Sequence, residues 1–339
     1  MAIYRRILLF QNRTSGHGPK EDVREEVSNR LKRISNSLEE IAVEPGLNIT
    51  ERVAAAVKEG TDLVVAAGGD GTVREVATGV VGAKATLGII PMGTFNNLAL
   101  SLNLPSDPAA ACDLIESGVT REIDVGIADE RHYFFEAAGV GVDADLFPIG
   151  EEVKSGRFAG ILRAIRLALL HKQTSVLLKF DRPVDVAYRQ SFRRQLFLKR
   201  RRRFYKAQMQ VAIRCSFLAI GNGPYYGSNF NVCPGAVLDD GLLSIGVYRD
   251  FSKLELFWHF WSISRGRRRY HPKLEIFEVE SVEISSSKRL AVHVDGHPIG
   301  SIPVRFAIRP RALRVAAPRV TGVAQFAEEE RASGHKGRK

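Results

Sequence analysis

The chain has 339 residues, 45% of them hydrophobic and 26% charged. Single cores stop growing near ~250–300 residues, so a chain of this length is expected to divide into two domains. Its 49 lysines and arginines against 38 acidic residues leave a net charge of +11, and three scattered cysteines (Cys112, Cys215, Cys233) exclude a disulfide framework and a cysteine-rich zinc site.

The first apolar run, Ile7–Phe10, reads as a strand and is too short for a signal-peptide core. A polar loop, Gln11–Gly18, precedes a charged helix from about Lys20 to Ser35, and Glu40–Val43 reads as a short strand. Asn48 or Thr50 caps a helix through Lys58, and Asp62–Ala67 is a buried-type strand ending at Gly68. Gly68-Gly69-Asp70-Gly71-Thr72 then opens a helix over about Val73–Val81. The strand Leu87–Pro91, the loop Met92-Gly93-Thr94 and a helix near Asn96–Ser101 follow. Alternating strands and amphipathic helices predict a parallel sheet with crossover helices, whose strand ends are where ligands bind.

After about Gly126 the pattern changes to strands separated by Gly, Pro and Asp: Tyr133–Ala138, Ser175–Phe180, Ser216–Gly221, Leu243–Tyr248, Ser281–Ser285, Leu290–Val294 and Val304–Ile308. That spacing predicts a mostly antiparallel β-sandwich. Helical patterns interrupt it at Gly156–Lys172 and Lys253–Ser264. No stretch reaches the ~18 apolar residues of a membrane span; the nearest, Phe158–Leu170, is broken by Arg163 and Arg166. The polar tail, 321–339, is expected to be disordered.

The positive charge is local. Arg182–Lys206 holds ten basic residues and one acid, Asp185, and interleaves Leu196, Phe197, Leu198, Phe204 and Tyr205 with Lys199–Arg203. A pI near 9.7 suggests nucleic acid, but a basic and apolar segment of this kind suits an anionic membrane surface, or else is a solvated loop. No nucleic-acid partner is expected.

Three loops could carry chemistry. In Gly68–Thr72 the glycines let bare N–H groups approach an anion at a helix N-terminus, and Asp70 would repel a phosphate unless it served a divalent cation or a proton. Asn12-Arg13-Thr14-Ser15-Gly16 and Pro91–Asn97 also place glycine and hydroxyl residues past strand ends. None is a Walker loop, and Gly139–Ala144 matches the dinucleotide fingerprint weakly.

Together with Glu75, Pro91-x-Gly93-Thr94-x-Asn96, Gly139–Ala144, Asp239-Asp240-Gly241-Leu242-Leu243 and Val294-Asp295-Gly296, this ordered set resembles the diacylglycerol kinase catalytic-domain family of lipid kinases. Sphingosine kinases and YegS-like enzymes are its relatives, and NAD kinase and phosphofructokinase belong to the wider group. The resemblance implies an α/β ATP-binding domain at 1–126, a β-rich lipid-substrate domain at 127–308, and a return of about 309–320 to the first. It implies ATP and Mg²⁺, a lipid substrate at the inner membrane face, a cytoplasmic setting and compatibility with a homodimer.

Carried over residue by residue, Asn12, Ser15, Gly68, Gly69, Asp70, Gly71, Thr72, Arg74, Glu75, Gly93, Thr94 and Asn96 would line the nucleotide. Asp70, Asp295 and His297 would be catalytic. Asp240 with the carbonyls of Val237 and Leu242 would hold a structural Mg²⁺, or 239–241 is a plain β-turn. The chain departs from the family pattern at Arg74 and Asn97, which replace Asn and Asp, and at His297, which replaces the glutamate expected as general base. Histidine can take that part, since neutral imidazole is abundant near pH 7; a silent nucleotide- or lipid-binding regulator and a soluble NAD-kinase-like enzyme are the alternatives.

Overall fold

The computed structural model describes residues 3–13, 21–141, 173–188, 204–226, 230–249 and 274–318. The first half runs β1 (Tyr4–Gln11), α1 (Glu21–Arg33), β2 (Ser35–Ala42), α2 (Ile49–Lys58), β3 (Leu63–Gly68), α3 (Asp70–Val80), β4 (Thr86–Pro91), α4 (Asn97–Ser101), α5 (Pro108–Glu116) and β5 (Thr120–Ala128). In β1, Ile7 and Leu9 point to one face and Leu8 and Phe10 to the other, all buried, as a side-chain period of two dictates. One face packs on α1 and α5 through Val27, Leu31 and Ile115, and the other on α2 and α3 through Val53, Val73 and Val76. Strands covered on both faces read as continuous apolar runs, and every residue of β3 and β4 is buried.

The helices end where their chemistry says they should. Asn48 caps α2 by accepting the Glu51 N–H at 3.2 Å, and Asp107 caps α5 from Ala110 at 2.9 Å, with Pro108 in the first turn. Among the differences from the sequence expectation, β1 starts earlier, at Tyr4, β2 is longer than Glu40–Val43, α3 starts at Asp70, and α5 was not foreseen, although Asp107-Pro108 is a helix-start signal.

The second half is β6 (His132–Phe134), β7 (Ala137–Gly141), β8 (Thr174–Tyr188), β9 (Phe204–Cys215), β10 (Phe217–Gly221), β11 (Tyr225–Tyr226), β12 (Phe230–Asn231), β13 (Leu243–Tyr248), β14 (Leu274–Val279), β15 (Ser281–Ser285), β16 (Ala291–Val294), β17 (His297–Ser301) and β18 (Val304–Ala316). The expected single strand Tyr133–Ala138 is instead β6 and β7, broken at Phe135-Glu136. The patterns at Gly156–Lys172 and Lys253–Ser264, residues 189–203 of the basic segment, and the tail lie outside the described residues.

A ten-stranded sheet runs β2-β1-β3-β4-β18-β15-β8-β9, with β5 alongside β18 and β6 alongside β5, and a six-stranded sheet runs β14-β13-β10-β7-β16-β17. The two sheets close on one core that includes Phe180, Phe277, Phe134 and Phe306. β18 is the seam: Val304–Ala307 pairs with β15, while Arg314 and Val315 pair in parallel with β4. β8 pairs with β15 only over Leu177–Phe180 but with β9 out to Tyr188, so its outer part is a two-stranded ribbon leading to the basic segment. The three cysteines are buried and none is in a disulfide, and burial pushes the thiols of Cys112 and Cys215 up to about 12. Among the described residues no helix is long and apolar enough to cross a membrane.

Candidate active site

Parallel register brings the strand ends level: Gln11 faces Ala67, and Gly68 faces Pro91. The loops after β1, β3 and β4 therefore share one sheet edge. The Asn12 side chain donates to Thr72 Oγ1 at 2.9 Å, joining the first loop to α3. Thr72 is thus buried and turned toward Asn12, whereas Gly71 and Thr94 are exposed at the edge. Ser15 lies outside the described residues.

The second and third loops meet backbone to backbone. A Cβ on Gly93 would lie 2.4 Å from the Gly69 Cα, which only glycine tolerates. Asn96, at φ 52°, clamps the Gly93 peptide: its Oδ1 accepts the Gly93 N–H and its Nδ2 donates to the Gly93 carbonyl, both at 2.9 Å. Asp70, the first residue of α3, accepts the N–H groups of Asn96 at 3.0 Å and Asn97 at 2.6 Å. Burial raises its pKa above the usual carboxylate value, while those amides pull it back. Gly69 precedes the helix and has no side chain to offer its first amides, a composition suited to an external anion.

Opposite stands the β16–β17 hairpin. Asp295 and Gly296 form its two-residue turn at φ 43° and 81°, the left-handed backbone such turns require. The Asp295 carboxylate accepts three consecutive amides, Phe135 at 2.8 Å and Glu136 and Ala137 at 3.1 Å, at the break between β6 and β7. Burial pushes its pKa up to about 6, against the pull of those amides and of the Arg74 guanidinium. Arg74 reaches this side from α3; its Nη2 lies 3.6 Å from Glu75, and its Nε is buried without a partner among the described residues. His297 is exposed, with Nδ1 3.1 Å from the Asp295 carbonyl. A proton on Nδ1 for that bond leaves Nε2 as an acceptor.

The residues foreseen for a metal form a separate loop. Asp240 Oδ1 accepts the Leu242 N–H at 2.9 Å, a turn of its own, and Val237 is exposed. The loop is fastened by Asp239 to Arg121 at 2.7 Å and by Asp124, whose oxygens accept Gly241 N–H at 2.6 Å and Arg311 N–H at 2.7 Å. Burial first, then the charges of Asp124, Glu278 and Asp239, raise the Asp240 pKa, offset in part by the Leu242 amide. No three His, Cys, Asp or Glu side chains among the described residues converge on a metal-sized site. A cation here would depend on one carboxylate and main-chain carbonyls, an oxygen set that suits Mg²⁺.

Two acids escaped the sequence reading. Asp124 is 1% exposed and Glu136 is 5% exposed. Both sit inside apolar runs of the sequence, Asp124 in β5 and Glu136 at the break between β6 and β7, and an acid in such a run is itself the signal. Glu136 feels the charges of both Asp295 and Asp70, which places the two sides of the site around it.

Residues 6–128 match the diacylglycerol kinase catalytic domain, and residues 196–317 match the YegS C-terminal NAD kinase beta sandwich-like domain. Curated relatives include a diacylglycerol kinase of Staphylococcus haemolyticus (strain JCSC1435), 27% identical over 92% of this chain and 88% of that protein. Another, from Staphylococcus aureus (strain MRSA252), is 27% identical over 93% of each chain. A solved diacylglycerol kinase structure from Bacillus anthracis str. Sterne superposes with a TM-score of 0.70 at 18% identity, covering 95% of this chain and 100% of that one. A second structure from that organism gives 0.74 at 20% identity, with the same coverage. With both halves of the sequence so matched, the chain belongs to the diacylglycerol kinase catalytic-domain family of lipid kinases, with a YegS-type C-terminal domain, and is a kinase that phosphorylates an alcohol.

Proposed function

We propose that the protein transfers the γ-phosphoryl group of ATP, with Mg²⁺, to a hydroxyl of a membrane lipid of the diacylglycerol class. The observation that carries this reading is the Asp70 carboxylate bound to the amides of Asn96 and Asn97, which locks two glycine loops into one anion-facing edge. Gly69, Gly71 and Thr94 offer small, polar surface to phosphates there, and Arg74 adds a positive charge on the side that faces Asp295. His297 Nε2 takes the proton of the acceptor hydroxyl, and the Asp295 carbonyl fixes the imidazole for it. Mg²⁺, when bound, neutralises phosphate charge and orients the transferring group. A structural cation at Asp240 would fasten the loop that Asp124 and Arg121 already hold.

The basic segment, carried between the strands of the β8–β9 ribbon, supports peripheral association with an anionic membrane surface from the cytoplasmic side, and a homodimer is compatible with the reading. The experiment is phosphate transfer from labelled ATP to lipids in anionic vesicles. Asp70→Asn should lower kcat by about 100-fold or more and also weaken ATP binding, because the charge goes and only one of the two loop amides keeps an acceptor. His297→Ala should lower kcat about 10²–10⁴-fold at neutral pH, and His297→Glu should recover part of it. Nucleotide binding without product from any lipid would refute the reading.

A further inference from the structure

A run of hydrogen bonds crosses from the nucleotide edge to the acceptor turn, and Glu136 is its middle. It begins at Asp70, which holds the first amide of α4 at 2.6 Å. The last residue of that five-residue helix, Ser101, donates its hydroxyl to Glu136 Oε2 at 2.9 Å. The amide of Glu136 donates to Asp295 at 3.1 Å, and its carbonyl accepts the amides of Asn222 and Gly223, both at 2.8 Å. A Cβ on Gly223 would lie 2.6 Å from Glu136 Oε2, so the turn packs directly against the carboxyl.

Folding alone does not explain this side chain. Asp124, the other buried acid among the described residues, has both oxygens on backbone amides. The Glu136 carboxyl takes the Ser101 hydroxyl on Oε2 and is approached by the Tyr225 amide, while its Oε1 is buried and completes no hydrogen bond among the described residues. An incompletely bonded buried carboxyl is costly, and such groups are retained where they serve a site. Burial and the charges of Asp295 and Asp70 hold its pKa well above the usual range, with the Ser101 hydroxyl and Tyr225 amide offsetting only part.

We propose that Glu136 is a positioning residue: through Ser101 on one side and Asp295 on the other, it keeps the nucleotide loops and the acceptor turn in the register that transfer requires. What that register serves rests on the kinase reading, but its existence does not.

Hydrogen exchange of the ligand-free protein tests the linkage. Ser101→Ala should speed exchange of the Phe135, Glu136 and Ala137 amides by about fivefold, the loss of one modest hydrogen bond. Glu136→Gln, whose side-chain oxygen can still accept from Ser101, should leave it near wild type. Unchanged exchange in Ser101→Ala would overturn the proposal. Kinetics test the role: Ser101→Ala and Glu136→Ala should lower kcat about tenfold with the KM for ATP within about twofold, and Glu136→Gln should recover most of the loss. If Glu136→Gln loses as much as Glu136→Ala and also removes a limb of the pH–rate profile, the carboxyl moves a proton and the positioning role is wrong. A wild type that makes no product refutes the kinase reading, while the exchange experiment still decides the linkage.

Discussion

Asp295 is pulled in two directions: three amides and Arg74 favour its carboxylate, burial favours its acid, and burial wins. Because folding raises its pKa, the native state holds that proton more tightly than the unfolded chain, where a carboxyl titrates near ~3.9. Its stabilising contribution is therefore full below about pH 4 and lost as pH rises through about 6. Asp295→Asn cannot ionise, so the stability of wild type relative to that variant should rise by roughly 1–3 kcal/mol as pH falls from about 7 to about 4, read from urea midpoints. A flat difference would mean that the amides outweigh burial. At this scale the sequence was informative about turns and less so about partners. Asp295-Gly296 is the kind of dipeptide that marks a hairpin, although the strand that follows it, β17, was not foreseen. That its carboxylate serves amides some 160 residues away is a tertiary fact no local pattern encodes. Glu136 was hidden for the same reason, since its bond to Ser101 joins separate elements.

Among elements, the contact between the α3 loop and the α4 loop is the most exacting. Gly93→Ala would press its methyl group onto the Gly69 backbone, which has no flexible side chain to yield. Overpacking of this kind costs ~1–3 kcal/mol, so ATP affinity by calorimetry should fall about tenfold or more. Affinity within twofold of wild type would show that the nucleotide is held elsewhere. The crossover elements around these loops were readable because buried parallel strands and capped helices leave strong local patterns, as in Leu63–Gly68 and the Asn48 cap. The β6–β7 break was not, because Tyr133–Ala138 is apolar enough to read as one strand and only the amides owed to Asp295 interrupt it. β9 was obscured by the basic run that precedes it.

Over the whole molecule, the net charge of +11 is best understood by position, since most of it falls in and beside the β8–β9 ribbon. Replacing Arg200, Arg201, Arg202 and Arg203 with glutamine should weaken binding to anionic vesicles by ~1 kcal/mol per charge near the surface and flatten its salt dependence, with ATP affinity intact. Vesicle binding that does not change would make the segment an ordinary solvated loop. The general architecture followed from the change of pattern near Gly126, but the long reach of β18 did not, because its polar middle, Arg309-Pro310-Arg311, reads as an end. That strand has a mechanical consequence. One continuous backbone pairs with β15 of the second half and with β4 and β5 of the first, so the two halves cannot swing apart like jaws on a flexible linker without tearing β18 from one of those strands. The compliant point is the register shift between Arg309 and Leu313, where Arg311 adopts φ 51° and its amide is held by Asp124. Relative motion of the two halves is thereby routed through a torsion about that bulge rather than through a free hinge.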